Sequence, residues 1–462
     1  MSERDNVKFF LEKFKSLQEA FLDYLEDEEN NEENFRNLYK LINDTKIRDC
    51  MHEIRLFIHF LLKVANNIHR IHNFFIKIDR ILKLFKNDLK KFKNEDIFQL
   101  FKSNKRILLF LIEEKILIVD KYFIKQIANA KYVEMDYPLY FAPEIKPFMN
   151  EEWFPKYDPS DYYLYKNEWV EEIKKELPNN FYELRKIGEN ENQLCKLIRE
   201  DMVKEFIINV NINNINLSAT IPSSIYETNT YLIKRNEEAT LIEYAAFFGS
   251  IKIFTYLKNE GVELTSSLWL EAIHGKNAEL IHLLEDNQVE PTFIVMKNRS
   301  VQKEKTFKKC FSESIKCHHN DIMFYFLNNC LQSEDENSIE TIIKCLKFYN
   351  FTLLQKEHIN ELSFCHLCHY DYYSLAEDLL ARSEVDINRK ETWGRWWKGE
   401  KTALYLAVER DNIDIIKLLL TNDKLDINLF NIDDCDIYFG IRGRGRGRGR
   451  GGRGRGRKER EI

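Results

Sequence analysis

From residue 1 to about 190, large apolar residues recur three or four positions apart, the period of a helix with one buried face. In "IRLFIHFLLKVANNIHRIHNFFIKIDRILKLF", Leu56, His59, Phe60, Lys63 and Val64 keep that spacing, followed by Ile71, Phe74, Phe75, Ile78, Ile81, Leu82 and Phe85. Stripes this wide must bury against other helices, so a bundle or a set of irregular helix pairs is expected up to about Gln126. The pattern then breaks in "YPLYFAPEIKPFMNEEWFPKYDPSDYYLY". Pro138, Pro143, Pro147, Pro155 and Pro159 each lack a donor and disfavour helix in the preceding residue. Residues 136–165 are the expected boundary region at the end of a helical N-terminal domain spanning 1–190.

The second half repeats itself. "TLIEYAAFFGSIKIFTYL" (240–257) and "TALYLAVERDNIDIIKLLL" (402–420) share Thr-x-Leu, a small-residue helix, a tight break and a second apolar helix ending in Leu. Thr402 suits a helix N-cap, and Ala245, Ala246 and Ala407 allow close helix approach. Gly249 supplies a left-handed residue without steric cost. Ile251, Ile253, Phe254, Tyr256 and Leu257 form the expected buried face of the second helix. "VDINRKE" (385–391) and "LDINLFN" (425–431) recur beside these helices. The pattern resembles the ankyrin repeat: Thr-Pro-Leu-His-x-Ala-Ala, then Gly, then Ile-Val-x-Leu-Leu, then Asp-(Val/Ile)-Asn. It departs from it in lacking the proline, and in keeping Gly only at Gly249. The other breaks are expected at Lys276, His319, Asp371 and Asp411.

Weaker copies are "LWLEAIHGKNAELIHLL", "CFSESIKCHHNDIMFYFL" and "FCHLCHYDYYSLAEDLL". Aligning final leucines gives Leu257, Leu284, Leu327, Leu379 and Leu419, with spacings of 27, 43, 52 and 40. An insertion at 289–309 and an extra helix near "SIETIIKCLKF" account for the longer ones. With the leader "LCKLIREDMVKEFIINV", the segment is similar to divergent ankyrin-repeat proteins of the kind expanded in unicellular parasites, largely of unknown function. The resemblance implies a solenoid over 191–431 that binds protein partners. The expected fold class is all-α: a helical N-terminal domain, a divergent ankyrin-type α-solenoid and a disordered tail at 432–462.

Composition supports helices, because the chain has only 8 Pro and 15 Gly, and eight of those glycines lie between Gly443 and Gly456. The most apolar segment, "RILLFLIEEKILIVDKYFI", is interrupted by Glu113, Glu114 and Lys115, so no membrane span is expected. The start, "MSERDNVKFFLEKF", is unlike a secretory signal. Nine cysteines without a disulfide-like framework read as reduced thiols of the cytoplasm or nucleus.

Chemistry is sparse. There is no phosphate-cradling Gly loop, no Gly-x-Ser-x-Gly elbow and no His-Glu-x-x-His pair, so no catalytic residues, cofactor or small-molecule substrate are expected. "CHLCH" (365–369) has the form of a haem-attachment motif but falls on a repeat helix. Cys365, Cys368 and His369 with Cys317, His318 and His319 offer zinc-type ligands, yet at spacings of no known finger. They read as helix residues, and no metal is expected.

Two segments point to partners. "INRKETWGRWWKGEKTAL" (387–404) lengthens the link between two repeats and places Trp393, Trp396 and Trp397 there. By resemblance that link is a projecting hairpin finger, and aromatics beside basic residues compose binding hot spots. The end of the chain alternates Arg with Gly over 442–457. Arg442, Arg444, Arg446, Arg448, Arg450, Arg453, Arg455 and Arg457 each offer phosphate contacts and a planar cation for stacking on RNA bases. Residues 442–462 carry +8, which leaves −14 for the rest, including six carboxylates in "EDEENNEE" (26–33). The first functional expectation is a non-enzymatic protein-interaction scaffold. The second is an RNA-associated adaptor using the tail, equally compatible with a simple-sequence expansion.

Overall fold

The computed structural model describes residues 3–27, 29, 31–68, 73–128, 136–154, 168–233, 238–297, 300–382, 385–393 and 399–429. These residues are overwhelmingly helical, with two short antiparallel hairpins as the only named strands. No described helix is long and apolar enough to cross a membrane. The chain divides into two compact units, Met1–Val385 and Asp386–Ile462.

The first unit opens with α1 (Glu3–Glu26), α2 (Glu32–Asp44), α3 (Met51–Asn67), α4 (Phe74–Leu84) and α5 (Lys105–Glu113). The apolar stripe read from the sequence is the buried face: Leu56, Phe60 and Val64 on α3, then Phe74, Phe75, Ile78, Ile81 and Leu82 on α4, are all buried. Ile71 lies outside the described residues. In the proline-rich stretch each described proline sits in the first turn of a very short helix, at Tyr137–Tyr140, Ala142–Ile145 and Lys146–Phe148. A missing N–H costs nothing there, but the next proline ends each turn. Buried ion pairs fasten this region. Arg185 donates to Glu144 at 2.7 Å and to the Tyr140 carbonyl, and Arg106 pairs with Asp79 at 2.7 Å while donating to the Lys186 carbonyl.

From residue 193 the chain becomes a row of helix pairs: α6 (Gln193–Arg199) with α7 (Val203–Ile212), α8 (Leu241–Phe247) with α9 (Ile251–Asn259), and α10 (Leu268–His274) with α11 (Ala278–Asp286). A hairpin of β1 (Thr292–Lys297) and β2 (Ser300–Lys305) fills the expected insertion. Then come α12 (Lys308–Cys317) with α13 (Asn320–Asn329), the extra helix α14 (Ile339–Phe348), and α15 (Glu361–His369) with α16 (Tyr373–Ala381). First helices stack in sequence order, α6 on α8, α8 on α10, α10 on α12, α12 on α14 and α14 on α15. The second unit holds β3 (Glu391–Trp393), β4 (Gly399–Lys401), α17 (Ala403–Glu409) and α18 (Ile413–Leu420). The units part between Val385 and Asp386, and helices from both sides of residue 190 meet within the first.

One device recurs at the end of each first helix. A residue in the left-handed conformation turns the chain at Asp201, Gly249, Lys276, His318, Tyr349, Asp371 and Asp411. The N–H of the following residue returns to a carbonyl five positions earlier: Met202 to Leu197, Ser250 to Ala245, His319 to Ser314, Asn350 to Cys345, Tyr372 to Leu367 and Asn412 to Ala407, at 2.8–3.1 Å. This closes the orphan carbonyls of the helix end. The third copy therefore breaks at His318, not His319, which instead begins the next helix. Eight residues past the breaks at Gly249, Lys276, His318, Asp371 and Asp411 stands the anchor of the second helix: Leu257, Leu284, Phe326, Leu379 and Leu419, each at most 1 % exposed. Leu327, expected as that anchor, is half-buried, since a phenylalanine does the leucine's work one residue earlier. Ile251 and Tyr256 are likewise half-buried, at the edge of the α9 face.

Small residues set the helix spacing as expected. Ala245, Ala246 and Ala407 are fully buried. A Cβ on Gly275 would lie 2.3 Å from the Ala246 carbonyl oxygen, so α8 and the α10 terminus touch through backbone. Gly275→Ala should therefore lower the melting temperature of the first unit strongly. Gly261→Ala, with open space but φ +85°, should cost only about 1–2 kcal/mol. Equal melting of the two variants would contradict this close approach.

Acid should also loosen the first unit. Burial holds His366, in the last turn of α15, down at about 4. The unfolded chain takes up that proton below about 6.5, whereas the folded one resists. Stability present above 6.5 is thus lost as pH falls toward 4, by about 1.4 kcal/mol per unit. Denaturant titrations across that range should show a shallower loss for His366→Gln; an unchanged slope would contradict the assignment.

Candidate interaction surfaces

The second unit carries the finger. Thr402 caps α17 by accepting from the Tyr405 N–H at 3.2 Å, which fixes where the hairpin ends and the helix begins. β3 and β4 pair Glu391 with Lys401, Thr392 with Glu400 and Trp393 with Gly399. Lys401 bonds both Glu409 carboxylate oxygens (2.9 and 3.0 Å) and lies 4.6 Å from the Tyr405 ring centroid, so it ties the finger's base to the helix. Each Asp-Ile-Asn forms a turn in which the Asp carboxylate accepts from the Asn N–H, at 3.0 Å for Asp386 and 2.9 Å for Asp426. The two turns are laced together. Asn388 donates to the Lys424 carbonyl at 2.7 Å and accepts from the Asp426 N–H at 2.8 Å. A capped short helix, a left-handed break, an amphipathic second helix and an Asp-Ile-Asn turn thus follow one another.

Residues 400–432 match the ankyrin repeat family model.

No curated protein matches the chain. An ankyrin repeat suggests a protein-protein interaction module. Trp393 lies at the tip end of β3, but its side chain, and all of Trp396 and Trp397, fall outside the described residues. So do Arg442 to Arg457 of the tail.

A second surface was not legible in the sequence. In the first unit, α1 and α3 run along the break ends of the helix pairs, and the left-handed residues Lys276, His318, Tyr349 and Asp371 reach them with their side chains. Lys276 bonds both oxygens of Glu26 (2.5 and 2.6 Å) at the end of α1. The His318 ring lies edge-on to Phe60 at 5.2 Å, and Tyr349 stacks on His59 at 5.4 Å. Asp371 meets Arg55 (3.5 Å) and His59 (3.7 Å), while Tyr373 stacks on His52 at 3.7 Å. The α3 backbone joins in, its Asn67 carbonyl lying 3.2 Å from His274 Nδ1. Successive contacts from the end of α3 to its start thus meet successive repeats, so α3 lies antiparallel to the array.

Between α1 and the loop after α14, fully buried Gln18 uses its whole amide: Nε2 donates to Asn350 (3.2 Å) and Thr352 (2.9 Å), and Oε1 accepts from the Phe351 N–H (2.7 Å). Phe14 stacks on Phe351 beside it. Burial lowers the His59 pKa although Asp371 pulls the other way, which keeps the ring neutral against Tyr349. The acidic run 26–33 also has structural work. Asp27 accepts from the N–H groups of Glu29 and Asn31, and Glu32 makes a two-pronged pair with Arg80 at 2.8 and 2.7 Å. Lys77 donates to the Tyr24, Leu25 and Asp27 carbonyls that end α1.

The zinc-type residues of the sequence do not assemble as a set. Cys365 and Cys368 are buried on α15, whereas Cys317 comes within reach of His274 and Glu313, a group that no spacing in the sequence announces. The signal for the seam was present but unread: a bulky or charged residue at a position where glycine is easiest needs a reason.

That reason is testable. Asp371→Gly relieves the left-handed backbone, worth about 1 kcal/mol, yet strips Arg55 and His59 of their carboxylate, at about 3 kcal/mol or more. It should be destabilising on balance. Asp411→Gly at the exposed break of α17 should be neutral or stabilising by about 1 kcal/mol. Chemical denaturation of both variants checks the contrast; stabilisation by Asp371→Gly would contradict the seam.

Proposed function

We propose that the chain is a non-enzymatic protein-interaction scaffold of the cytoplasm or nucleus, presenting the finger at 388–401 and the α17 face to a protein partner. The observation that carries this reading is the match to the ankyrin repeat at 400–432, with the base of its hairpin tied to α17 by Lys401, Glu409 and Tyr405. In the first unit the break ends are already filled by α1 and α3, which leaves the hairpin ends of the repeats for partners. Trp393, Trp396 and Trp397 supply the large rigid rings that dominate binding energy at interfaces. Extended repeat surfaces of this kind hold partners side by side rather than transform them.

The Arg-Gly alternation favours a second reading, an adaptor whose tail engages RNA. Arg442 to Arg457 would bind through phosphates and base stacking, with little sequence preference and strong salt dependence. Affinity capture of the full chain and of a 1–440 truncation, with and without nuclease, separates the readings. Nuclease-sensitive partners lost with the tail support the adaptor; partners indifferent to both support the scaffold.

The finger itself is tested by replacing Trp393, Trp396 and Trp397 together with Ser. Capture of protein partners should fall at least tenfold while far-ultraviolet circular dichroism keeps its helical amplitude. Unchanged capture, or loss of helix, would refute the tryptophan surface.

A further inference from the structure

Apart from the finger, one cluster in the first unit has the chemistry of a ligand site. His274 ends α10, and Glu313 and Cys317 stand four residues apart on the neighbouring α12, a spacing that puts both on one helix face. One ligand atom from each lies within 4.8 Å of the others. His274 Nε2 is 2.8 Å from Glu313 Oε1, and Cys317 Sγ is 3.4 and 3.7 Å from the two ring nitrogens. His274 and Cys317 are buried. The imidazole is fixed in place by Tyr231 at 4.4 Å and Phe247 at 4.9 Å.

The donor set gathered in this cluster is the informative feature. His274 Nδ1 faces the Asn67 carbonyl at 3.2 Å, and a carbonyl can only accept. In the tautomer that donates from Nδ1 to this carbonyl, Nε2 presents a lone pair beside Glu313, whose Oε1 also accepts from Lys316 at 2.6 Å. Nε2, a Glu313 carboxylate oxygen and the Cys317 sulfur are then three ligand atoms gathered around one point. A histidine that gives its far N–H to a backbone carbonyl is the usual way a metal-binding imidazole is oriented. We propose that His274, Glu313 and Cys317 bind a zinc ion, with water in the fourth position. One imidazole nitrogen, one carboxylate and one thiolate suit zinc better than calcium or magnesium, which take oxygen ligands.

Binding is a plain ligand exchange. The Cys317 thiol releases its proton to solvent and the sulfur bonds the ion, which sheds water; nothing is oxidised or reduced. Lys316 keeps its bond to Glu313 and offsets part of the ligand charge. The ion would join α10 to α12 and, through Asn67, to the end of α3, clamping the seam at its Asn67 end.

The test uses the full-length chain, stripped with a chelator and then titrated with Zn²⁺ alone. One equivalent should be retained, with a rise in melting temperature. Cobalt substitution should give the intense thiolate-to-metal absorption of a tetrahedral site. Cys317→Ser should abolish that absorption and weaken zinc binding at least tenfold. Glu313→Gln, which preserves side-chain shape and so guards against simple misfolding, should also weaken it at least tenfold. A Cys365→Ser, Cys368→Ser variant should bind as wild type. Failure to retain zinc, or retention indifferent to Cys317→Ser and Glu313→Gln, would overturn the site. The cluster would then be a metal-free network in which Nε2–H donates to Glu313 and the thiol to Nδ1.

Discussion

The turn between the two helices of each pair constrains everything else in the first unit. It must place one residue in the left-handed region, and that residue projects its side chain from the end of the repeat. Glycine would satisfy the backbone and project nothing. Lys276, His318, Tyr349 and Asp371 accept the backbone cost, and each gains a contact with α1 or α3. Asp201 uses the same position differently, accepting from the N–H groups of Lys252 and Ile253 at the start of α9. The turn that makes the array therefore also makes the surface to which the N-terminal helices bind. Loss of the usual glycine is the trace of that second role.

Much of the architecture was legible because it rests on local chemistry. The cap at Thr402, the left-handed Gly249 and the close-packed Ala245, Ala246 and Ala407 depend on residues within one turn of each other. The apolar period of α3 and α4 is similarly local. The third copy stands one residue off the leucine alignment because Phe326 fills the place a leucine holds elsewhere. The partners across the seam are not paired by any local pattern, since Gln18 meets Asn350 and Arg55 meets Asp371 across more than 300 residues. Nothing periodic links such pairs. The His274, Glu313 and Cys317 cluster escaped for the same reason, one ligand lying on a different repeat from the other two.

Function follows from which ends of the repeats are taken. Side chains of α1 and α3 consume the break ends of the first unit, and the six-carboxylate run at 26–33 is partly spent on Lys276, Arg80 and the chain's own turns. Hairpins such as β1–β2 and β3–β4 leave the opposite ends of their first helices. On the proposed scaffold reading, the N-terminal helices are an internal ligand of the first unit, and the hairpins are left for external ones.

Native-state hydrogen exchange on the full-length chain tests that picture most directly. If α3 is part of the array, its buried amides, from Ile54 to Val64, should exchange through the same opening event as those of α10, α12 and α15. Their protection should fall together when Gln18 is replaced by Ala. Fast, independent exchange of α3 beside fully protected repeats would show the N-terminal helices to be a separate body, and the account of the seam would fail.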